Sequence, residues 1–263
     1  MAKWERIAAD WREKIHSGEL VPETKLPNEQ KLKADYEVSL PVVRQALDAL
    51  EAEGLVDRRH GRGTFVRAPR QRVRRSPERY QWEKDRARLP ESQRRRTGAT
   101  ERDTGLVMQD LEFAAEYRTV PASAELARLF SVPVGAKMLE RTYRTSSRKE
   151  KVPLSLNTSY MVYDVVAENP ALLDDNNEPW PGGTQNQLFT IGIELDRIVD
   201  EITARPPSAD EAEALKLPPG VSVLILRKIS VDTKDCVVEV SNVVLPGDRT
   251  EFVYTTKLAR WSE

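Results

Sequence analysis

Arg44 and Gln45 stand side by side in residues 40–53, on the side opposite Val43, Ala46, Leu47 and Leu50. Guanidinium and carboxamide groups pair with phosphate oxygens and with base edges, so this side has the chemistry of nucleic-acid recognition. His60-Gly61-Arg62-Gly63 adds a basic tip whose glycine amides can approach a phosphate closely. Other chemistries lack a frame. The chain has two His and one Cys, with no metal-ligand cluster among them, no nucleophile elbow, no phosphate-binding glycine loop and no recognisable pair of catalytic carboxylates. A protein that is not an enzyme, with no cofactor and no metal, is the expectation.

The elements that must hold those side chains follow from spacing. Asn28 can cap a short helix with Leu32 and Tyr36 on its apolar side, and Glu37-Val38-Ser39 interrupts it, with Ser39 placed to cap the next helix. Val43, Ala46, Leu47 and Leu50 recur at i, i+3, i+4 and i+7, one buried stripe on a helix over residues 40–53 that tolerates Pro41 in its first turn. Gly54 stops that helix, because glycine enters the left-handed conformation without penalty. A hairpin over 55–59 and 64–66 follows. Ahead of these, Trp4, Ile7, Ala8, Trp11 and Ile15 form the core stripe of a first helix that Ser17-Gly18 ends. His16 beside that end is expected to meet the last carbonyls rather than a metal. Helix, turn, helix and basic hairpin make a winged helix-turn-helix, which lays its second helix in the major groove of DNA.

Two domains are expected for 263 residues. A single cysteine, Cys236, allows no internal disulfide and fits an intracellular compartment; in a strand it reads as a small buried apolar group. No apolar run approaches the roughly 20 residues of a membrane span, and the N-terminal segment is charged and amphipathic, so a soluble, cytoplasmic protein with no membrane partner is expected. The net charge is −1, but residues 1–68 hold 12 Lys+Arg against 12 Asp+Glu, 69–102 hold 12 against 5, and 103–263 hold 17 against 25. Residues 69–105, Arg-rich and proline-punctuated, have the composition of a linker that folds incompletely. Its charges are either solvated connector residues or groups that face nucleic acid, and Tyr80 and Trp82 are expected to dock onto a domain rather than stack on bases.

The ordered set Leu26-Pro27, Val38-Ser39, Val43-Arg44-Gln45-Ala46-Leu47, Leu50, Glu53-Gly54-Leu55 and Gly61-Arg62-Gly63-Thr64 resembles the GntR family of bacterial transcription regulators. The resemblance implies a DNA-binding set of Gln30, Ser39, Leu40, Pro41, Val42, Arg44, Gln45, His60, Gly61, Arg62 and Gly63. Family members usually carry Arg where Gln30 and Leu40 stand and Thr where Val42 stands. An apolar leading turn cannot make guanidinium contacts to guanine but can touch thymine methyl groups, so thymine is expected opposite Leu40 and Val42. For Arg44 and Arg62 the alternative is an ion pair inside the domain, with Glu51 or Asp57.

Residues 106–263 contain an internal repeat with an offset of 85: Pro121-Ala122-Ser123-Ala124-Glu125 matches Pro206-Pro207-Ser208-Ala209-Asp210, and Val132-Pro133-Val134-Gly135 matches Leu217-Pro218-Pro219-Gly220. Each half reads as a strand, a short helix and a hairpin: 111–120, a helix to Phe130, then 137–147 with 152–161; and 195–205, a helix to Leu215, then 222–233 with 236–246. The hairpin turns, Arg148-Lys149-Glu150 and Lys234-Asp235, are polar, and Ser208 with Glu211 forms a capping box. This predicts an α+β unit with an antiparallel sheet, helices on one side, and the apolar run 221–225 as a central strand. Residues 172–180 read as a loop, and Gly183-Thr184 opens a helix over 185–191 closed by Gly192.

The stretch 204–249 resembles the UTRA effector domain that follows the winged helix in the HutC-type branch of that family, a fold related to chorismate lyase. Together the resemblances imply a winged helix-turn-helix domain at 1–68, a basic linker at 69–105 and an effector-binding and dimerisation domain at 106–263. They imply a homodimer on a palindromic double-stranded DNA operator, with a small-molecule effector held between sheet and helix. Carried over by motif, that pocket would involve Arg141, Tyr143, Asn157, Thr184 and Glu239. Arg141 would grip a carboxylate or phosphate, Thr184 would offer helix-terminal amides, and Glu239 would accept from a hydroxyl or amine. UTRA domains often have a second Arg where Tyr143 stands and an acid near Asn157. Arg141 and Glu239, read as lying in equivalent strands, have the alternative of pairing with each other across the sheet. Two mechanisms stay open: a repressor released when a metabolite fills the pocket, and a ligand-independent repressor, for example of plasmid transfer genes, whose C-terminal domain is a dimerisation scaffold. Kinship to a lyase leaves a chorismate-lyase-like enzyme as a remote third.

Overall fold

The computed structural model describes residues 2–68, 72–148 and 152–260, and the chain divides into two compact units. The first contains α1 (Lys3–His16), α2 (Glu29–Asp35), α3 (Leu40–Ala52) and a hairpin of β1 (Val56–Arg59) and β2 (Gly63–Val66). Asn28 Oδ1 accepts from the Lys31 amide at 2.8 Å and so starts α2. Ser39 occupies the N-cap of α3, but its hydroxyl makes no capping bond. The expected stripes meet in one core: Ile7, Ala8, Trp11, Leu32, Val43, Ala46, Leu47 and Leu50 are buried together, with Trp4, Ile15 and Tyr36 partly buried against them. At Gly54, which ends α3, φ is +72, where a side chain would strain the backbone.

In the second unit, β3 (Val73–Arg75), α4 (Glu78–Ala87), α5 (Glu91–Arg94) and α6 (Ala99–Thr104) occupy the Arg-rich stretch. The expectation that this connector folds incompletely is therefore corrected for residues 72–105; Pro69, Arg70 and Gln71 lie outside the described residues. Its arginines do the work that apolar residues do elsewhere. Arg86 donates to the carbonyls of Gln93 and Thr97, both at 2.9 Å, and Arg94 donates to the carbonyls of Leu89 and Pro181 and to Asn186 Oδ1. The Trp82 ring carries the guanidinium groups of Arg86 and Arg102 at 4.7 and 4.9 Å. Tyr80 docks as expected, its hydroxyl donating to Asp200 at 2.9 Å.

The chain continues through β4 (Leu111–Pro121), α7 (Ala124–Phe130), β5 (Lys137–Ser147), β6 (Val152–Val162), α8 (Tyr163–Val166), α9 (Gly183–Thr190), β7 (Leu195–Arg205), α10 (Ala209–Ala214), β8 (Val223–Asp232), β9 (Val237–Pro246) and β10 (Thr250–Phe252). Six strands form an antiparallel sheet in the order β4-β5-β6-β9-β8-β7. The order is palindromic because the sequence repeats. Asn157 pairs with Val243 and Thr158 with Asn242, and the repeat offset exchanges these two pairs, so a pseudo-twofold axis passes between β6 and β9. The short β10 pairs in parallel with β3, Thr250 opposite Val73 and Phe252 opposite Arg75.

Four details differ from the sequence reading. The run 221–225 does not form a central strand: β8 begins at Val223 and lies second from an edge, while β6 and β9 are central. Helices cover both faces, not one. Phe130 of α7 packs with Met138 and Val240, whereas Val166 of α8 and Leu188 of α9 pack with Leu139 and Met161, and adjacent strand residues such as 138 and 139 face opposite ways. Cys236 sits in the turn before β9 and is exposed. The loop 172–180 carries short 3-10 turns at Pro170–Leu173 and Asp175–Asn177. The Ser208–Glu211 capping box is present, with reciprocal bonds of 2.8 and 3.2 Å. Lys149 and Glu150 of the first hairpin turn lie outside the described residues.

Leu50 is fully buried in the core that holds α3 against α1. Leu50→Ala should destabilise the first unit by about 2–5 kcal/mol, since deletion of buried methyl groups leaves a cavity; denaturant unfolding followed by tryptophan fluorescence measures it.

Candidate nucleic-acid interface and ligand cavity

In the first unit, Ser39 at the N-cap of α3, Pro41, Arg44 and Gln45 of α3, Gln30 of α2, and His60, Gly61, Arg62 and Gly63 at the hairpin tip are exposed. Leu40 and Val42 are only half-exposed, and Val42 packs on the core, which leaves the apolar leading turn smaller than the sequence implied. Arg58 of β1 ties the hairpin to α3: it pairs with Asp48 at 2.6 Å and donates to the Arg44 carbonyl at 3.3 Å. Arg44 itself pairs with Glu29 at 2.8 Å rather than with Glu51 or Asp57, because Glu29 at the start of α2 faces α3 whereas Glu51 and Asp57 meet Arg58 and Arg67. Arg59 makes a two-point pair with Glu23, both distances 2.6 Å, and its guanidinium lies 4.5 Å from the Phe65 ring centroid.

In the second unit the structure closes Arg141 and Glu239 on each other at 2.8 Å, with side chains 1% and 2% exposed. They do not lie in equivalent strands: Arg141 is in β5, Glu239 in β9, and β6 runs between. Ser159 of β6 bridges them, accepting from Arg141 at 2.7 Å and donating to Glu239 at 3.0 Å. Lys228 pairs with the second Glu239 oxygen at 2.9 Å, Ser230 donates to it at 3.2 Å, and Thr184 reaches Glu239 at 3.3 Å. Arg141 also donates to Gln187 of α9 at 2.7 Å. Burial alone would raise the Glu239 pKa, but the charges of Lys228 and Arg141, with hydrogen bonds from Lys228 and Ser159, hold it at about 2. Tyr143 joins a neighbouring group, in which Glu178 accepts from Tyr117, Tyr143 and Gln187 at 2.5, 3.1 and 2.9 Å. Burial pushes the Tyr117 phenol up to about 12 and that of Tyr143 well above its ordinary value, so both stay protonated donors. Asn157 accepts from the Ser241 hydroxyl at 2.7 Å.

A cavity of about 600 Å³ lies over this sheet, and Tyr143, Asn157, Thr184 and Glu239 line it. Arg141 does not: its two terminal nitrogens donate to Glu239, Ser159 and Gln187 while its buried Nε has no hydrogen-bond partner, so the expectation that it grips a ligand carboxylate meets a side chain whose terminal nitrogens are already engaged. Part of the remaining wall comes from the connector, through Arg79, Tyr80, Trp82 and Arg86 of α4 and Glu101 of α6. Sequence reasoning missed these and also Lys228. Period-2 alternation could have found Lys228, which lies between buried Leu226 and Ser230 on one face of β8. Among the described residues no group of three His, Cys, Asp or Glu side chains could hold a metal ion, and no helix is long and apolar enough to cross a membrane.

Comparison with known proteins gives two family matches: residues 3–66 to the bacterial regulatory proteins of the gntR family and residues 114–251 to the UTRA domain. An HTH-type transcriptional regulator of Streptomyces coelicolor is 31% identical over 257 residues, covering 97% of this chain and 93% of the relative. The HTH-type transcriptional repressor NagR of Bacillus subtilis is 23% identical over 252 residues, covering 95% and 92%. Among solved structures, a GntR-family transcriptional regulator superposes with TM-score 0.66 at 24% identity, covering 98% of this chain and 99% of that one.

Glu239 supplies a pH signature. Its folded pKa lies below the ordinary 4.5, so its contribution to stability is complete above that value and disappears as pH falls toward about 2. Unfolding free energy should drop across this acid window in the wild type, and Glu239→Gln should flatten that part of the profile while lowering stability at neutral pH, because Arg141 then loses its charged partner.

Proposed function

The chain belongs to the GntR family of bacterial regulatory proteins, with a UTRA domain behind its winged helix, and we propose that it is a homodimeric repressor of HutC type that a small-molecule effector releases from a palindromic operator. The DNA-binding domain is assigned to residues 1–68, with α3 in the major groove and the hairpin tip on the flanking backbone. Arg44 and Gln45 supply contacts to bases or phosphates, and His60, Arg62 and the amides of Gly61 and Gly63 hold the neighbouring phosphates. A homodimer matches a palindrome because twofold symmetry presents two such helices to two half-sites.

The observation that supports release by an effector is the cavity itself, of a size that suits a metabolite and walled in part by residues 75–101. Those residues follow the winged helix directly in the chain. A ligand that favours one placement of α4 and α6 therefore selects among dimer geometries, and only some of these span both half-sites. The scaffold reading draws on a different observation, the pairing of Glu239 with both Arg141 and Lys228; it predicts a second unit that holds two copies of the chain together without responding to any small molecule.

A thermal-shift screen of the full-length protein against metabolites separates the two, since a ligand that binds only the native state must raise the melting temperature. Under the effector reading the same compound weakens the complex with the segment upstream of the protein's own gene. If a dimer binds that segment and no compound shifts either measurement, the scaffold reading replaces it. A monomer with no preference over random competitor DNA at moderate ionic strength overturns both. Arg44→Ala should lower affinity for the upstream segment by about tenfold, within the range of a single base or phosphate contact.

A further inference from the structure

Residues 1–68 carry as many Asp and Glu as Lys and Arg, 12 of each. A domain that meets a polyanion through general electrostatics gains from an excess of cations, and this one has none. The carboxylates are also not scattered. On the face assigned to DNA, the recognition-helix cation Arg44 has Glu29 at 2.8 Å, with side chains 60% and 37% exposed. The hairpin cation Arg59, next in the chain to the tip residues assigned to DNA, has Glu23 at 2.6 Å on each of its two terminal guanidinium nitrogens. Glu23 holds that position with φ +67, a left-handed conformation that costs a non-glycine residue free energy. Its amide is fixed to the Val66 carbonyl at 2.9 Å, so the loop keeps the carboxylate over the hairpin. Two cations on two different elements are thus each matched by a carboxylate from a third and a fourth.

We propose that Glu23 and Glu29 are specificity-determining residues, internal counter-ions that occupy Arg59 and Arg44 until a cognate sequence displaces them. The inference rests on the reading that this face meets DNA. A phosphate arriving at a random sequence gains Arg44 or Arg59 only by breaking a pair already made, and it then lies near a released carboxylate that repels it. At a cognate site, base contacts from α3 supply what that exchange costs. The non-specific affinity therefore falls further than the specific one, and discrimination rises.

The test uses full-length protein, a random-sequence duplex, and the duplex that wild-type protein enriches from a random library, with fluorescence anisotropy across a salt series. Glu29→Gln and Glu23→Gln should each tighten binding to the random duplex by about three- to fivefold, the attraction of one freed guanidinium for a phosphate about 5 Å away in water. Each should steepen the salt dependence by about one phosphate equivalent. Binding to the enriched duplex should change less, so the specificity ratio falls. In an Arg44→Gln background the effect of Glu29→Gln should vanish, and likewise Glu23→Gln in Arg59→Gln, as a double-mutant cycle requires of a true pair. Glu53→Gln serves as the control. It releases Arg12 from a similar two-point pair at the far end of α3, and DNA affinity should not move.

Unchanged or weaker binding to random DNA in Glu29→Gln and Glu23→Gln, at an unchanged melting temperature, overturns the proposal. So does an effect that survives removal of the paired arginine. If Arg44→Gln and Arg59→Gln themselves leave both duplexes bound as before, the DNA-facing assignment fails first and the counter-ion inference falls with it.

Discussion

The carboxylate of Glu239 is taken on both oxygens by groups within the second unit, and much of that unit's geometry follows. A guanidinium buried to 1% exposure needs an opposite charge, and a buried carboxylate needs its lone pairs filled. Glu239 meets the first demand, and Arg141, Lys228, Ser159, Ser230 and Thr184 meet the second. Because Arg141 also reaches Gln187 and Thr184 reaches Glu239, the same network fastens α9 to the sheet. Its rigidity comes at the expense of availability, since charges that saturate one another are not open to a visitor.

The polar groups of the cavity that are not part of this network lie elsewhere in its lining. Tyr143 and Glu178 form a second closed group, and the connector brings Trp82, Arg79 and Glu101 to the same space. Residues 72–105 are part of the sheet unit. Tyr80 and Lys84 of α4 bond to Asp200 and to the Leu195 carbonyl of β7, and Asn186 of α9 donates to the Ala87 carbonyl at 2.6 Å.

The winged helix shows the complementary pattern at its surface. Its core is apolar and closed, while its outer cations are matched by carboxylates in exposed pairs. Exposed pairs contribute little to stability, so the fold of this unit rests on its apolar core and not on these pairs.

Local rules carried the winged helix almost whole. The i, i+3, i+4, i+7 stripes of α1 and α3, the Asn28 cap and the Gly54 stop are set by neighbours within a few residues, so the sequence displays them. The repeat likewise determined the sheet: two copies of strand, helix and hairpin, joined about an axis between β6 and β9, yield the palindromic order. What tertiary structure alone decided were the meetings between residues far apart in the chain. That Arg141 is spent on Glu239, that Glu29 rather than Glu51 holds Arg44, and that an arginine-rich stretch of low apolar content folds by donating to backbone carbonyls all depend on which surfaces come together. A sequence states how many charges a segment carries, but their partners are fixed by distance, and distance is set only when the chain has closed on itself.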